Sequence, residues 1–241
     1  MTEIGEDTLE RARSGNRRAI EAVFRQVHPG VCRLVRALCG DADFADRIVD
    51  ISFRHALTVL PRWNEHVDPE HWFSHHALQT VRRVSPGRPD SADDLLVKAV
   101  ASDQQTPAWA AFVRGIRRLP PQQAEAFILH HGQRMNSRLL GVSMDCSTTA
   151  AENHLRAADN AMRALAGEQF EPLTRVLRTA VVALGPSPDV TEQFVTARVG
   201  AWADRRSAVR IARLVFLTVV ISLLALAWIY RADLLRLIGL Q

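Results

Sequence analysis

Apolar side chains recur along most of this chain at three- and four-residue spacing, and strict apolar/polar alternation stands out nowhere. Ile20, Val23, Phe24, Val27, Val31, Leu34, Val35 and Leu38 line one face of a helix, and Pro29 inside that run predicts a kink or a break. A second helix is predicted over 43–60, with an acidic first turn that suits the helix dipole and Pro61 to stop it. A third opens near Pro69 and turns Trp72, Phe73, Ala77 and Val81 inward. The stretch SPGRPDSADD at 85–94 has no apolar period and reads as a linker, taken to run over 85–108. Beyond it Trp109, Phe112, Val113, Ile116 and Leu119 restore the helical period as far as Pro120 and Pro121. Short helices are predicted at 122–131 and 137–144, a tight connection at 145–147, a long helix over 148–165, and two more at 168–184 and 189–210.

The last apolar run is of another kind. Residues 214–230, from Leu214 to Tyr230, carry no charge and only Thr218 and Ser222 as polar groups. As a helix they rise about 25 Å, and extension back to Ile211 matches a hydrocarbon core of roughly 30 Å if Arg213 snorkels. Trp228 and Tyr230 stand where an interfacial aromatic pair would stand. Arg198, Arg205, Arg206, Arg210 and Arg213 precede the run; Arg231 and Arg236 follow it. The expectation is one transmembrane helix at 211–230 and a short tail at 231–241, in a single-pass protein of the inner membrane whose N-terminal body lies in the cytoplasm. The alternative is a buried core helix.

Composition adds little against this picture. Apolar residues make up 47% of the 241 and charged residues 23%, which suits a folded body rather than a disordered chain. The net charge of +4 is uneven: residues 167–241 hold 9 basic and 6 acidic side chains, whereas 1–84 balance at 12 and 12. The excess therefore flanks the apolar run rather than forming a nucleic-acid surface. Cys32, Cys39 and Cys146 describe neither a disulfide framework nor a zinc site, and the charged N-terminus carries no signal peptide. His71 and His75 stand at i and i+4, with His76, His130 and His131 as further imidazoles, but no acidic or thiol partner lies at ligand spacing. No nucleotide loop, nucleophile elbow or zinc-protease pattern occurs, so neither an enzyme, a metal nor a cofactor is expected.

Two short helices, a brief turn and a third helix over 121–165 are the requirements of a helix-turn-helix. Ser147 suits the N-cap of the second helix, whose outer face would present Thr148, Thr149, Glu152, Asn153 and Arg156, with Ala151, Leu155 and Ala158 turned inward.

The segment LPPQQAEAFILHHGQRMNSRLLGVSMDCSTTAAENHLRAADNAMRAL resembles the C-terminal DNA-binding domain of extracytoplasmic-function sigma factors. Upstream, ARSGNRRAIEAVFRQVHPGVCRLVRALCGDADFADRIVDISFRHAL resembles the other conserved sigma domain. Trp72 and the Arg82–Arg83 pair fall where that family has a buried Trp and an end-of-helix arginine pair. The resemblance covers 8–84 and 109–166. It implies an all-α protein of two small domains, a region 2-like domain at 1–84 and a region 4-like helix-turn-helix domain at 109–166. A helical extension at 167–210 and the transmembrane helix would follow. It further implies a sigma factor with RNA polymerase core and promoter DNA as partners and a possible regulatory protein; the apolar run at 214–230 would tether this factor to the membrane. Asp46, Arg47 and Asp50 would meet polymerase. Trp63 would face a flipped base, where stacking is worth roughly 1–3 kcal/mol. Arg82 and Arg83 would contact phosphate, and Thr148, Thr149, Glu152, Asn153 and Arg156 the duplex. Arg47, Ile51 and Glu152 depart from the family pattern. They motivate the alternative, a degenerate sigma-like interaction scaffold without transcription activity.

Overall fold

The computed structural model describes residues 5–63, 68–84 and 94–229. Every regular element among them is helical, as the three-four periodicity predicts. The chain divides into two compact units, Met1–Thr196 and Ala197–Gln241.

In the first unit a short helix, α1 (Glu6–Arg13), leads into α2 (Arg17–Cys39) and α3 (Ala42–Val59). Asn16 caps α2 by accepting from the Ala19 N–H at 3.1 Å, and Asp41 caps α3 by accepting from Phe44 at 2.7 Å. Pro29 does not break α2. An interior proline costs roughly 3 kcal/mol. The whole predicted apolar face of α2 is buried, and each large side chain there contributes about 1.5–3 kcal/mol, so packing wins. A single turn, Leu60–Arg62, follows α3; then α4 (Pro69–Val84) closes the first block. Phe24, Phe53 and Phe73 meet at its centre, with ring centroids 4.8–5.3 Å apart.

The predicted linker is only partly so. Residues 85–93 lie outside the described residues, but α5 (Leu95–Lys98) is helical and buries Leu96. Helix α6 (Pro107–Arg118) then leads to α7 (Pro121–Phe127), a wide turn at Ile128–Gly132, α8 (Ser137–Met144) and α9 (Thr148–Ala166). Helix α10 (Phe170–Ala183), predicted as part of an extension, instead completes the core. Phe170 sits 6.2 Å from Phe127, Leu177, Ala180 and Val181 are buried, and the helix packs on both α2 and the turn at 128–132.

The last helix, α11 (Pro188–Ile229), begins in the first unit, where Thr191 and Val195 are buried. Its later part is where the transmembrane expectation fails. Among the described residues no helix is long and apolar enough to cross a membrane. The described helix ends at Ile229. The charge-free run from Leu214 to that point rises about 24 Å, short of a core of roughly 30 Å. Tyr230 and the tail at 231–241 lie outside the described residues. The apolar side chains of this run are exposed: Leu214 is 64% and Phe216 70% exposed.

Candidate nucleic-acid interface

The helix-turn-helix is built from local signals. Asn136 caps α8 by accepting from the Leu139 N–H at 3.0 Å. Asp145 then takes a left-handed backbone, φ 58°, which ends the helix. The Cys146 N–H returns to the Gly141 carbonyl at 3.0 Å, and Ser147 caps α9 by accepting from Ala150 at 3.2 Å. A Cβ at position 141 would lie 3.0 Å from the Cys146 carbonyl oxygen and 3.2 Å from the Thr148 nitrogen, so glycine is what lets the two helices approach.

Helix α9 turns Ala151, Ala158 and Met162 inward and leaves Thr148, Thr149, Asn153 and Arg156 exposed, with Glu152 and Leu155 half-buried. Arg156 donates to the Asn153 Oδ1 at 3.2 Å, which holds both side chains on one outward face. This face offers hydroxyl, amide and guanidinium groups, the donors and acceptors that read base edges and phosphates. Arg138 on α8 and Arg134, itself at φ 63°, are also exposed. Sequence reasoning did not single out either arginine.

Two residues of the predicted strand-binding group are placed elsewhere. Trp63 is only 1% exposed, its ring centroid 5.7 Å from that of Trp72, so no face is left for a base. Residues 64–67 of the same predicted loop lie outside the described residues. Arg82 is not open to phosphate either. Its Nε donates to Glu125 Oε1 at 3.0 Å and its Nη2 to Glu125 Oε2 at 2.6 Å and to the Met144 carbonyl at 3.1 Å. The hydrogen bonds to Glu125 push the guanidinium pKa up. Arg83, on the outer side of the same turn, is exposed. Sequence reasoning missed the Glu125 partnership, although a lone carboxylate between Ala124, Ala126 and Phe127, in a run that must be buried, calls for a cation.

The three residues expected to meet polymerase lie on α3. Asp46 is exposed and accepts from Arg36 Nη2 at 2.9 Å; Arg36 also donates Nη1 to the Leu184 carbonyl at 2.9 Å. Arg47 is exposed, its guanidinium 5.6 Å from the Phe44 ring centroid, and Asp50 pairs with Arg54 at 2.8 Å. Ile51, between them, is 37% exposed.

No family model matches this chain, and no curated protein matches it.

Two histidines, His28 and His76, are held towards the neutral form by packing. His76 lies 4.2 Å from Trp72 and 5.3 Å from His55, and burial, followed by the neighbouring histidines, pushes its pKa down to about 4. His28 stacks on Phe194 at 4.2 Å and is pushed down to about 4, chiefly by burial. Its Nε2 lies 3.2 Å from Cys32 Sγ, and burial raises that thiol to about 12, so it is no nucleophile at neutral pH. Among the described residues no group of three His, Cys, Asp or Glu side chains is arranged to hold a metal ion.

Proposed function

We propose that the protein is a sigma-like DNA-binding factor that joins RNA polymerase core and directs it to particular promoters through α9. One observation carries this reading: a capped, glycine-tightened turn presents Thr148, Thr149, Asn153 and Arg156 together on an exposed helix face. The resemblance of both helical blocks to sigma domains, in the right order, supports the same reading, and the exposed side chains of α3 offer polymerase a surface. We further propose that the exposed apolar stretch of α11 keeps the protein at the inner membrane with its body on the cytoplasmic side; a regulatory protein partner belongs to the same proposal. The test uses the full chain in detergent with core polymerase, a randomised duplex pool and run-off transcription. Retention on core and enrichment of a sequence class are expected. No retention on core at low salt would end the reading.

A second reading is a sigma-like scaffold that binds protein and starts no transcription. Trp63 in the core and Arg82 on Glu125 favour it, because two of the three strand-contacting candidates are engaged within the protein and only Arg83 is exposed. Duplex binding without any promoter-dependent transcript would favour the scaffold.

A further inference from the structure

Arg82 ends a row of polar contacts that one face of α4 makes with the helix-turn-helix. Gln79 donates to the Asp145 carboxylate at 3.5 Å, and Arg82 reaches Glu125 and the Met144 carbonyl. Positions 79 and 82 share one helical face, and α4 packs along α8. Ser143, Met144 and Asp145 are the end of α8 and the left-handed residue that starts the turn. Glu125, on α7, has a side chain only 2% exposed. A carboxylate so deeply buried needs a fixed cation, and Arg82 supplies it. Two guanidinium nitrogens grip the two carboxylate oxygens side by side while Nη2 also reaches the carbonyl, and the single nitrogen of an ammonium does not reproduce that fork.

We infer that Arg82 is a positioning residue of the helix-turn-helix: α4 acts as its fourth helix, and Arg82 fixes the turn that aims α9. Only the effect on DNA rests on the DNA-binding reading above. The consequence is that residues 109–166 are not a self-sufficient DNA-binding domain, although their sequence pattern is complete.

The first arm of the test needs no DNA. In the full chain, Arg82→Met combined with Glu125→Gln, so that no buried carboxylate is left unpaired, should speed hydrogen exchange at the amides of Cys146 and Ala150, which the turn protects, by roughly tenfold, leaving α2 unchanged. Arg82→Lys should give an intermediate rate. Unchanged protection at Cys146 and Ala150 overturns the inference, and so does an equal acceleration throughout α2, which would mean general destabilisation. The second arm uses a duplex enriched from a random pool by the full chain. Arg82→Met should lose roughly tenfold in affinity with an unchanged salt slope, because no phosphate contact is removed. A slope that falls by about one would make Arg82 a phosphate contact and overturn the inference. If no duplex is enriched, the DNA-binding reading fails, and the exchange arm alone decides the role of Arg82.

Discussion

Arg117 and Asp94 are both withdrawn from water, their side chains 4% and 2% exposed. Nε and Nη2 of Arg117 donate to the two carboxylate oxygens at 2.6 and 2.9 Å, while Nη1 donates to the carbonyls of Ala37 and Leu38 at the end of α2. Gly40, at φ 73°, ends α2 where a Cβ would lie 2.8 Å from Asp94 Oδ2, so the cluster and the helix end fit only with glycine there. Removing one partner leaves an uncompensated buried charge. Arg117→Ala should therefore cost about 3–5 kcal/mol, read by denaturant unfolding, whereas cutting the exposed Arg11–Asp7 pair should cost under about 1 kcal/mol. The buried histidines give the protein a pH dependence of known sign. His28 and His76 titrate near pH 4 when folded and near 6.5 when unfolded, so between those values the unfolded chain binds more protons. Stability is fully present above about pH 6.5 and falls as the pH drops towards 4, at up to about 1.4 kcal/mol per pH unit for each histidine. For His28 the charged neighbours are Arg36, which lowers its pKa further, and Asp46, which raises it. His28→Phe should flatten the melting-temperature profile over that window; an unchanged slope would exclude His28 as its source.

At the scale of elements, α9 depends on its cap and on its outward face separately. Ser147→Ala should cost about 1 kcal/mol of stability by leaving the Ala150 amide without its acceptor. Arg156→Ala should leave stability alone but lower the salt slope of duplex binding by about 1, as loss of one phosphate contact does. The helices themselves were legible, because a three-four apolar period needs only the sequence of one segment. The boundaries of α3, α8 and α9 and the start of α4 fall within a residue or two of those expected, and the caps Asn16, Asp41, Asn136 and Ser147 are of the residue types that cap helices. What could not be read was which partner each polar residue finds across the chain. Glu125 lies 43 positions from Arg82, and nothing local distinguishes an arginine that meets a buried carboxylate from one that meets phosphate. Trp63 shows the same limit. Its proline-flanked, polar surroundings suggest a loop, but the side chain packs beside Trp72 inside the core.

Across the whole molecule, the blocks that the sequence divides are joined in one unit by α10. Phe170 stands against Phe112 and Phe127, and Leu177, Ala180 and Val181 are buried between α2 and the turn at 128–132. Removing Phe170, Leu177 and Val181 alone withdraws on the order of 5–9 kcal/mol of apolar burial. That is comparable with the roughly 5–15 kcal/mol by which whole domains are stable. A chain cut after residue 166 keeps all the sigma-like sequence, yet it should melt far below the full chain or fail to fold. A chain cut after residue 196 keeps the whole first unit and should retain the melting behaviour of that unit. It also lacks the exposed apolar side chains of α11, including Leu214, Phe216, Leu224 and Trp228. An apolar surface of that extent marks an interaction site, because water disfavours it. The two cuts therefore separate folding from location. If α11 holds the protein at a membrane as proposed, the 196-residue chain should remain folded by circular dichroism and leave the membrane fraction for the supernatant. If it stays with the membranes, the apolar part of α11 does not hold the protein there, and the contact must lie on the body.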